Sequence, residues 1–230
     1  MPRFATFNVR HGQGTGSWIS LTRTARAIQQ LDADVVSVNE LYRLGQRYDQ
    51  PGRLADLLDM HVTFQPNVTT GALEYGNAIL SRHPLEQVEL TSLPSRREQR
   101  GLMVARTRAG EHDVTCAVTH LSLHRATRAE QLATIAEELP HDEPLVFSGD
   151  LNCEHHELHP LAHRLEIAHH SPDTFPAVRP FRAYDHILWS EHWDLEHVTT
   201  SDTWASDHLP LVATLRMLGD PNPSDSGETR

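Results

Sequence analysis

Residues 145–152, LVFSGDLN, combine a short apolar strand with two polar side chains that follow it directly. The run LVFS has the composition of a buried strand, and Gly149 ends it. Because side chains alternate along an extended chain, Asp150 and Asn152 point to the same side. A carboxylate beside a carboxamide suits a hard cation with oxygen ligands, or a water molecule that must be aligned and deprotonated. An ordinary Asx turn that closes a strand fits the same residues, so GDLN alone does not decide between a functional and a structural role.

The remainder of the chain reads as an α/β domain. Seven further apolar runs predict buried strands, at residues 3–9, 34–39, 77–81, 102–106, 114–119, 186–189 and 211–215. Apolar residues at near-helical spacing predict helices after Ser20, around Leu54 and from Leu132 to the stop at Pro140. Strands with interspersed helices predict one α/β catalytic domain over residues 1–218. The polar, turn-rich residues 219–230 predict a disordered tail.

Polar residues recur where predicted strands end. Asn8, Glu40 and His120 each close an apolar run, in the same way as Asp150 does. A rigid sheet presents such side chains to a shared cleft, so this placement favours an active site. His120 taken alone is more often a structural histidine.

Two further pairs lie beside strands, in YDHI and SDHLPL. Asp185 is a carboxylate able to fix the tautomer of an imidazole. The dipeptide Asp207–His208 either caps the strand that follows or supplies a metal ligand and an imidazole for proton transfer. The sequence leaves both interpretations open.

The charge balance argues against a general binder of duplex nucleic acid. The chain has 230 residues, a formal net charge of −11, a pI near 5.8 and no lysine. Bound metal ions in an acidic cleft can still invert the local charge. Cys116 and Cys153 are too few for a disulfide framework, and neither a signal peptide nor a membrane-spanning run is visible. We therefore expect cytoplasmic residence, without insertion into a membrane.

The motifs FNVRHG, VNEL, YGNAILS, QRG, THLS, GDLN, YDHI and SDHLPL, in this order, resemble those of the endonuclease/exonuclease/phosphatase superfamily, which includes DNase I-like nucleases. The resemblance runs from about residue 4 to residue 215. Each motif is short, but their order and spacing together make the signal specific. It implies a four-layer sandwich of two mixed β-sheets flanked by helices, with the active site at one edge where the strand ends of both sheets meet.

The resemblance also implies a metal site and a water site. Asn8 and Glu40 match the amide and the carboxylate that bind the metal, and Asp207 matches the residue that helps to complete that site. Asp150 and Asn152 match the pair that handles the attacking water and the phosphoryl oxygen. The implied cofactor is Mg²⁺ or Mn²⁺.

Histidines and arginines complete the implied site. His208 matches the histidine that contacts the scissile phosphate, and Asp185 matches the carboxylate that orients an active-site histidine. His120 matches a second histidine of DNase I-like members, where abasic-site endonucleases tend to carry tyrosine. Arg10 and Arg100 match arginines that lie near the substrate and the catalytic face.

These matches predict a metal-dependent phosphoesterase, most closely a nuclease-like phosphodiesterase. FNVR and THL favour a nuclease, whereas the net charge and the absence of lysine favour a small-molecule or lipid phosphoester as substrate. A sphingomyelinase-like role is disfavoured because no apolar hairpin is visible. A non-catalytic binding platform is the alternative from a different class. The expected partner is a phosphate-ester substrate, with nucleic acid possible and no obligate protein partner.

Several other features tempt a functional interpretation. Residues 154–159, EHHELH, lack the HExxH spacing of a catalytic zinc helix and are better explained as a solvated loop or helix start. Their position directly after GDLN leaves substrate contact by His155 or His156 open. Cys153 has no partner set typical of a nucleophile. The four tryptophans, Trp18, Trp189, Trp193 and Trp204, are expected in the core or in the wall of the cleft.

Overall fold

A computed structural model of the protein describes residues 1–220 apart from 17, 46 and 169. In this part of the chain there are three α-helices, α1 (Leu21–Gln30), α2 (Gln50–Leu58) and α3 (Arg125–Glu138). The strands β1 to β13 are, in chain order, Arg3–Asn8, Val35–Leu44, Tyr48–Asp49, His61–Thr70, Leu73–Ser81, Glu86–Leu93, Arg100–Ala109, His112–His120, Leu145–Asp150, Glu166–Ile167, Asp185–Trp189, Trp193–Thr200 and Leu211–Met217.

The strands form two mixed sheets. The first has the order β12-β13-β1-β2-β5-β4, with β3 paired to β2, and the second has the order β10-β11-β9-β8-β7-β6. Each sheet has one parallel pair near its centre, β1 with β2 and β8 with β9. Parallel neighbours need a crossover connection, and α1 and α3 supply the two crossovers.

Apolar side chains fill three layers, so the fold is a four-layer sandwich. Phe4, Ile79, Met103 and Val118 belong to the core between the sheets, together with Trp193. A second layer covers the outer face of the first sheet with α1 and α2, and a third covers the outer face of the second sheet with α3. This arrangement confirms the predicted α/β sandwich of two mixed sheets flanked by helices.

All eight predicted strands are present, and most extend beyond the apolar run that predicted them. The long strands that the sequence did not reveal, β4, β6 and β12, all lie at sheet edges. An edge strand is partly solvated and carries mixed polar residues, so its apolar signal is weak. The predicted cap of α1 is confirmed, since the backbone N–H of Arg23 donates to Oγ of Ser20 at 3.3 Å.

Two expectations need comment. Trp189 and Trp193 are buried as predicted, but Trp18 and Trp204 are 77% and 71% exposed and are not core residues.

Residues 221–230 of the predicted tail 219–230 lie outside the described residues, whereas Asp220 is described and pairs with Nε2 of His112 at 2.9 Å. Among the described helices, none has the length and apolar character that crossing a bilayer requires.

The cleft edge, where the C-terminal ends of β1, β2, β8 and β9 meet, carries most of the predicted site residues. The strand pairing places Asn8 beside Asn39 in one sheet and His120 beside Asp150 in the other. Because parallel strands end at the same side of a sheet, each central pair delivers two polar side chains to the same place.

Candidate active site

Asn8, buried at the end of β1, connects the two sheets at the cleft edge. Its Nδ2 donates to Oε1 of Glu40 and to Oδ2 of Asp150, both at 2.9 Å. Its Oδ1 accepts the backbone N–H of Arg10 at 3.0 Å. Asn8 therefore holds two carboxylates, one from each sheet, at a shared position.

Glu40 reaches this position because β2 carries an extra residue. The pairing of β2 with β5 shifts register between Val38 and Leu41, as in a β-bulge, and Glu40 has a φ of 64°. The left-handed conformation is costly for a residue with a side chain and marks sites where surrounding structure enforces it. Arg10, His11 and Asn152 share it, with φ values of 45°, 47° and 50°, so backbone strain concentrates around the site.

Asn39, which the sequence analysis did not select, positions the other side of the cleft. It is fully buried, and its Oδ1 accepts the backbone N–H of Asp150 at 2.8 Å. Its Nδ2 donates to Oδ1 of Asn77 and to the carbonyl of Thr119, both at 3.0 Å. One amide thus fixes the end of β9 against the first sheet. Its position directly before Glu40 was the available sequence signal.

His208 and Asp185 form a buried pair. Nδ1 of His208 lies 2.8 Å from Oδ2 of Asp185, and the hydroxyl of Thr174 donates to that same oxygen at 2.6 Å. Nε2 of His208 lies 3.7 Å from Oδ2 of Asp150. Burial alone would lower the pKa of His208, but the charges of Asp185 and Asp150 outweigh it and raise the pKa to about 10. His208 is therefore an imidazolium at neutral pH.

Asp150 is the central carboxylate of the cleft. Burial raises its pKa to about 7, against the opposing effect of the charge on His208. The backbone N–H of Asn152 donates to its Oδ1 at 3.0 Å, and Nε2 of His120 lies 3.5 Å from its Oδ2. A carboxylate with a pKa near neutrality suits the exchange of a proton with water.

His120 differs from His208 in its protonation. Burial lowers the pKa of His120, and the charges of Arg100 and His208 lower it further, so this imidazole is neutral. Its Nδ1 is buried and has no hydrogen-bond partner among the described residues. The two histidines thus flank Asp150 in different charge states.

Asp207 and Arg10 lie at the outer part of the cleft. Nε of Arg10 is 3.4 Å from Oδ2 of Asp207, and both side chains are partly exposed. The buried hydroxyl of Ser206 donates to the carbonyl of Asn8 at 2.6 Å and fixes this loop against β1. The structure therefore brings the SDH motif next to the first strand of the chain.

Arg100, at the start of β7, is a buried cation with little compensation. Nη1 lies 2.8 Å from Oε1 of Glu98, yet neither Nη1 nor Nε forms a well-directed hydrogen bond to another described residue. Its contribution to the lowered pKa of His120 places its charge near the cleft. A buried guanidinium with two nitrogens that lack a well-directed hydrogen bond is costly unless a ligand anion completes it.

Asn152 lies beside Asp150, but one of its polar groups is already used. Its Nδ2 donates to the carbonyl of Leu121 at 3.0 Å, which orients the side chain after its left-handed turn. The second hydrogen of the Nδ2 group is the one that Asn152 can donate to a ligand.

The oxygen donors of the cleft fit a hard divalent cation. Ligand atoms of Asp150, Asp185 and His208 lie within 4.8 Å of one another. A histidine binds a metal ion only when its imidazole is neutral. Because His208 is an imidazolium held by Asp185, these three residues form a poor metal site. Glu40 offers a partly exposed carboxylate of the kind that Mg²⁺ or Mn²⁺ prefers, whereas Asn8 turns its Nδ2 towards Glu40 and its Oδ1 towards the backbone N–H of Arg10.

Other polar groups singled out in the sequence stay outside this arrangement. His155 and His156 are exposed in a short 3₁₀ turn, His155–Leu158, where Glu157 pairs with Arg128. Burial raises the pKa of the Cys153 thiol to about 12, so it is a poor nucleophile at neutral pH. Thr174 was missed because its segment has no strand or helix pattern.

Comparison with known proteins agrees with this geometry. The model of the Endonuclease/Exonuclease/phosphatase family matches residues 5–208. The uncharacterized protein YbhP of Escherichia coli K12 is 32% identical over 184 residues, which cover 71% of this chain and 72% of YbhP.

Solved structures share the fold. An endonuclease/exonuclease/phosphatase from Beutenbergia cavernae superimposes with a TM-score of 0.79 at 24% identity, over 94% of this chain and 71% of that one. The mannosyl-6-phosphatase Bt3783 of Bacteroides thetaiotaomicron gives a TM-score of 0.77 at 14% identity, over 94% and 100% of the two chains. At these identities the likeness shows the fold alone. The family model, which matches most of the chain, carries the assignment: the chain belongs to the endonuclease/exonuclease/phosphatase family.

Proposed function

We propose that the protein is a divalent-metal-dependent hydrolase of phosphodiesters, acting through one catalytic domain over residues 1–218. The observation that carries the proposal is the arrangement around Asp150. This carboxylate, with a pKa of about 7, lies between the imidazolium of His208 and Asn8, which also binds Glu40. A base, a fixed positive charge and oxygen ligands for a metal thus meet in one buried cleft.

The chemistry follows from these groups. Water attacks phosphorus, a phosphorus–oxygen ester bond breaks, and the leaving alkoxide takes up a proton. Asp150 is suited to align the water and to accept its proton. The imidazolium of His208 and the amide of Asn152 donate hydrogen bonds to the phosphoryl oxygens as these gain negative charge. His120, whose Nε2 also lies near Oδ2 of Asp150, and Arg100 are proposed to add further donors.

A bound Mg²⁺ or Mn²⁺ would polarise the phosphoryl oxygens, and Glu40, Asn8 and Asp207 are the residues proposed to hold it. Asp185 is proposed to act through His208 by keeping it charged and oriented. Arg10, paired with Asp207, is proposed to contact the substrate from the rim of the cleft. Residence in the cytoplasm stays a prediction from the sequence.

Turnover of bis-p-nitrophenyl phosphate with Mg²⁺ or Mn²⁺ tests the proposal without knowledge of the natural substrate. We expect metal-dependent hydrolysis that Asp150→Asn and His208→Ala each reduce by at least about 10²-fold. Asp113→Asn and His141→Ala, exposed residues away from the cleft, are the matched controls and should retain the wild-type rate.

A substrate panel then separates the alternatives. It contains plasmid DNA, single-stranded DNA and RNA, p-nitrophenyl phosphate, an inositol polyphosphate and a phospholipid. The catalytic proposal is excluded if the wild type hydrolyses no substrate with either metal, or if both cleft variants keep full activity. The alternative is then a non-catalytic binding platform on the same fold.

A further inference from the structure

The most exposed large apolar side chains of the described residues all lie around one opening. Five of them are more than 60% exposed: Trp18, Leu123, Val178, Phe181 and Trp204. They lie on the loops that follow β1 and β8 and on those that precede β11 and β13. These loops surround the cleft edge. We call these five residues the apolar rim.

Backbone hydrogen bonds join three of the rim loops into one wall. The N–H of Thr15 donates to the carbonyl of Trp204 at 3.2 Å, which ties the loop of Trp18 to the loop of Trp204. The N–H of Ala177 donates to the carbonyl of Asp207 at 2.7 Å, which ties the loop of Val178 and Phe181 to the same segment. The wall is therefore continuous with Asp207 and His208 of the candidate site.

The opposite part of the rim is joined through ion pairs. Arg128 donates to the carbonyl of Leu123 at 2.9 Å and to both oxygens of Glu157 at 3.1 and 2.9 Å. Glu154, in the same turn region, accepts from Arg182 at 3.1 Å, and the guanidinium of Arg182 lies 5.5 Å from the ring of Phe181. The charges of Arg128 and Arg182 are thus compensated within the protein, while the apolar side chains of the rim stay in water.

We propose that the apolar rim docks on a lipid surface and that the substrate is the phosphoester headgroup of an amphiphile. The inference deepens the proposed function and rests on it. A cluster of exposed apolar side chains marks an interaction site. Because the rim loops surround the cleft edge, we infer that the surface they contact carries the substrate. Trp, Phe and Leu on loops are the side chains that bury themselves at a membrane interface.

A nucleic acid fits the rim less well. Leu123 and Val178 offer no ring on which a base can stack, and a nucleic-acid groove also needs a row of cations along the backbone path. Beside the rim, Arg182 is paired with Glu154, whereas the exposed Arg179 has no ion pair among the described residues, and the formal net charge of the chain is −11. A neutral surface such as phosphatidylcholine avoids the repulsion that an anionic polymer or an anionic membrane would meet.

Trp18 and Trp204 provide a direct measurement, since Trp189 and Trp193 are buried. On addition of phosphatidylcholine vesicles we expect a blue shift of tryptophan fluorescence and protection from acrylamide. The double variant Leu123→Ser/Phe181→Ser keeps both reporters and should weaken vesicle binding by at least about tenfold. Leu90→Ser, which removes a 53% exposed side chain on the edge strand β6, is the matched control and should bind like the wild type. Thermal unfolding of each variant verifies that it is folded.

Four outcomes separate the possibilities. Vesicle binding that the rim variant loses and the control retains supports the inference. Three results overturn it: the wild type does not bind vesicles, the control loses vesicle binding as much as the rim variant does, or the rim mediates binding of single-stranded DNA in place of vesicles. Hydrolysis of bis-p-nitrophenyl phosphate is measured in parallel: turnover without vesicle binding rejects the lipid surface and keeps the proposed function. Rim-dependent vesicle binding without any turnover keeps the docking surface and rejects the proposed function.

Discussion

Oδ2 of Asp185 lies 2.8 Å from Nδ1 of His208, in a site where the Asp185 side chain is completely buried. The hydroxyl of Thr174 donates to the same oxygen and fixes the carboxylate from the other side. This pair keeps His208 protonated and turns its Nε2 towards Asp150. The proposed function therefore depends on a residue that does not itself reach the substrate.

Replacing Asp185 should impair His208 without removing it. In Asp185→Asn we expect the pKa of His208 to fall and kcat for bis-p-nitrophenyl phosphate to drop by about 10²-fold, because the imidazolium loses its counter-charge. Titration of the His208 resonance by NMR checks the first effect. An unchanged pKa together with full activity would contradict the positioning role, and Asp113→Asn is the matched control.

Stability should depend on pH through His208. Its pKa is about 10 in the folded protein and about 6.5 when unfolded, so the folded state binds this proton more tightly. The stabilisation is fully present below about pH 6.5 and is lost as the pH rises through about 10. As the pH rises from about 6.5 to about 10, the free energy of unfolding of the metal-free wild type should therefore approach that of His208→Gln. Urea titrations at several pH values measure this, and a difference that stays constant with pH would disprove it.

Asn39→Asp should disrupt the junction between the sheets. The new carboxylate keeps the oxygen that accepts the backbone N–H of Asp150, but it loses the two hydrogen bonds that Nδ2 donates and places an oxygen against Oδ1 of Asn77 and the carbonyl of Thr119. We expect a loss of about 1–3 kcal/mol or more in the free energy of unfolding, and lower kcat because this repulsion disturbs the junction that positions Asp150. Urea unfolding and initial rates measure the two effects. Gln29→Glu, on an exposed part of α1, makes the same chemical change and should cost little.

Removing the charge of Arg100 should alter both binding and His120. In Arg100→Met we expect the pKa of His120 to rise towards its usual value, since the positive charge that helps to lower it is gone. KM for a phosphodiester should rise by about tenfold as an anion contact is lost. NMR titration and steady-state kinetics provide the measurements. Arg96→Met, at a largely exposed ion pair with Glu130, is the control that should leave both unchanged.

Glu40→Gln should weaken metal binding. The substitution keeps the shape of the side chain and removes the charge that a divalent cation requires, so the Kd for Mn²⁺ should rise by at least about tenfold. Isothermal titration calorimetry measures it independently of turnover. Glu138→Gln, at an exposed position, is the control. If Glu40→Gln, the control and the wild type bind Mn²⁺ with equal affinity, Glu40 is not part of the proposed metal site.

The sequence predicts the central strands and most of the polar residues of the cleft because each of these residues borders a buried apolar run. Asn8, Glu40 and Asp150 are examples, and the structure brings them together. Asn39 was missed because its partners Asp150 and Thr119 lie far away in the chain and contact it only through the packing of the two sheets. Thr174 lies 11 positions from Asp185 and was missed because its segment has no strand or helix pattern. The edge strands were missed for a different reason, since their solvated side chains dilute the apolar pattern.

Ser206 and Asn8 are separated by 198 positions and share a hydrogen bond of 2.6 Å. Such a high contact order slows folding, because long loops must close before the contact stabilises anything. During synthesis a nascent chain that has not yet reached Ser206 lacks both this contact and His208. Its first strand emerges early but finds its antiparallel neighbour β13 only after residues 211–217 have been made. We therefore expect hydrolysis to begin only after the ribosome has delivered β13, so that a chain that lacks this strand is catalytically silent.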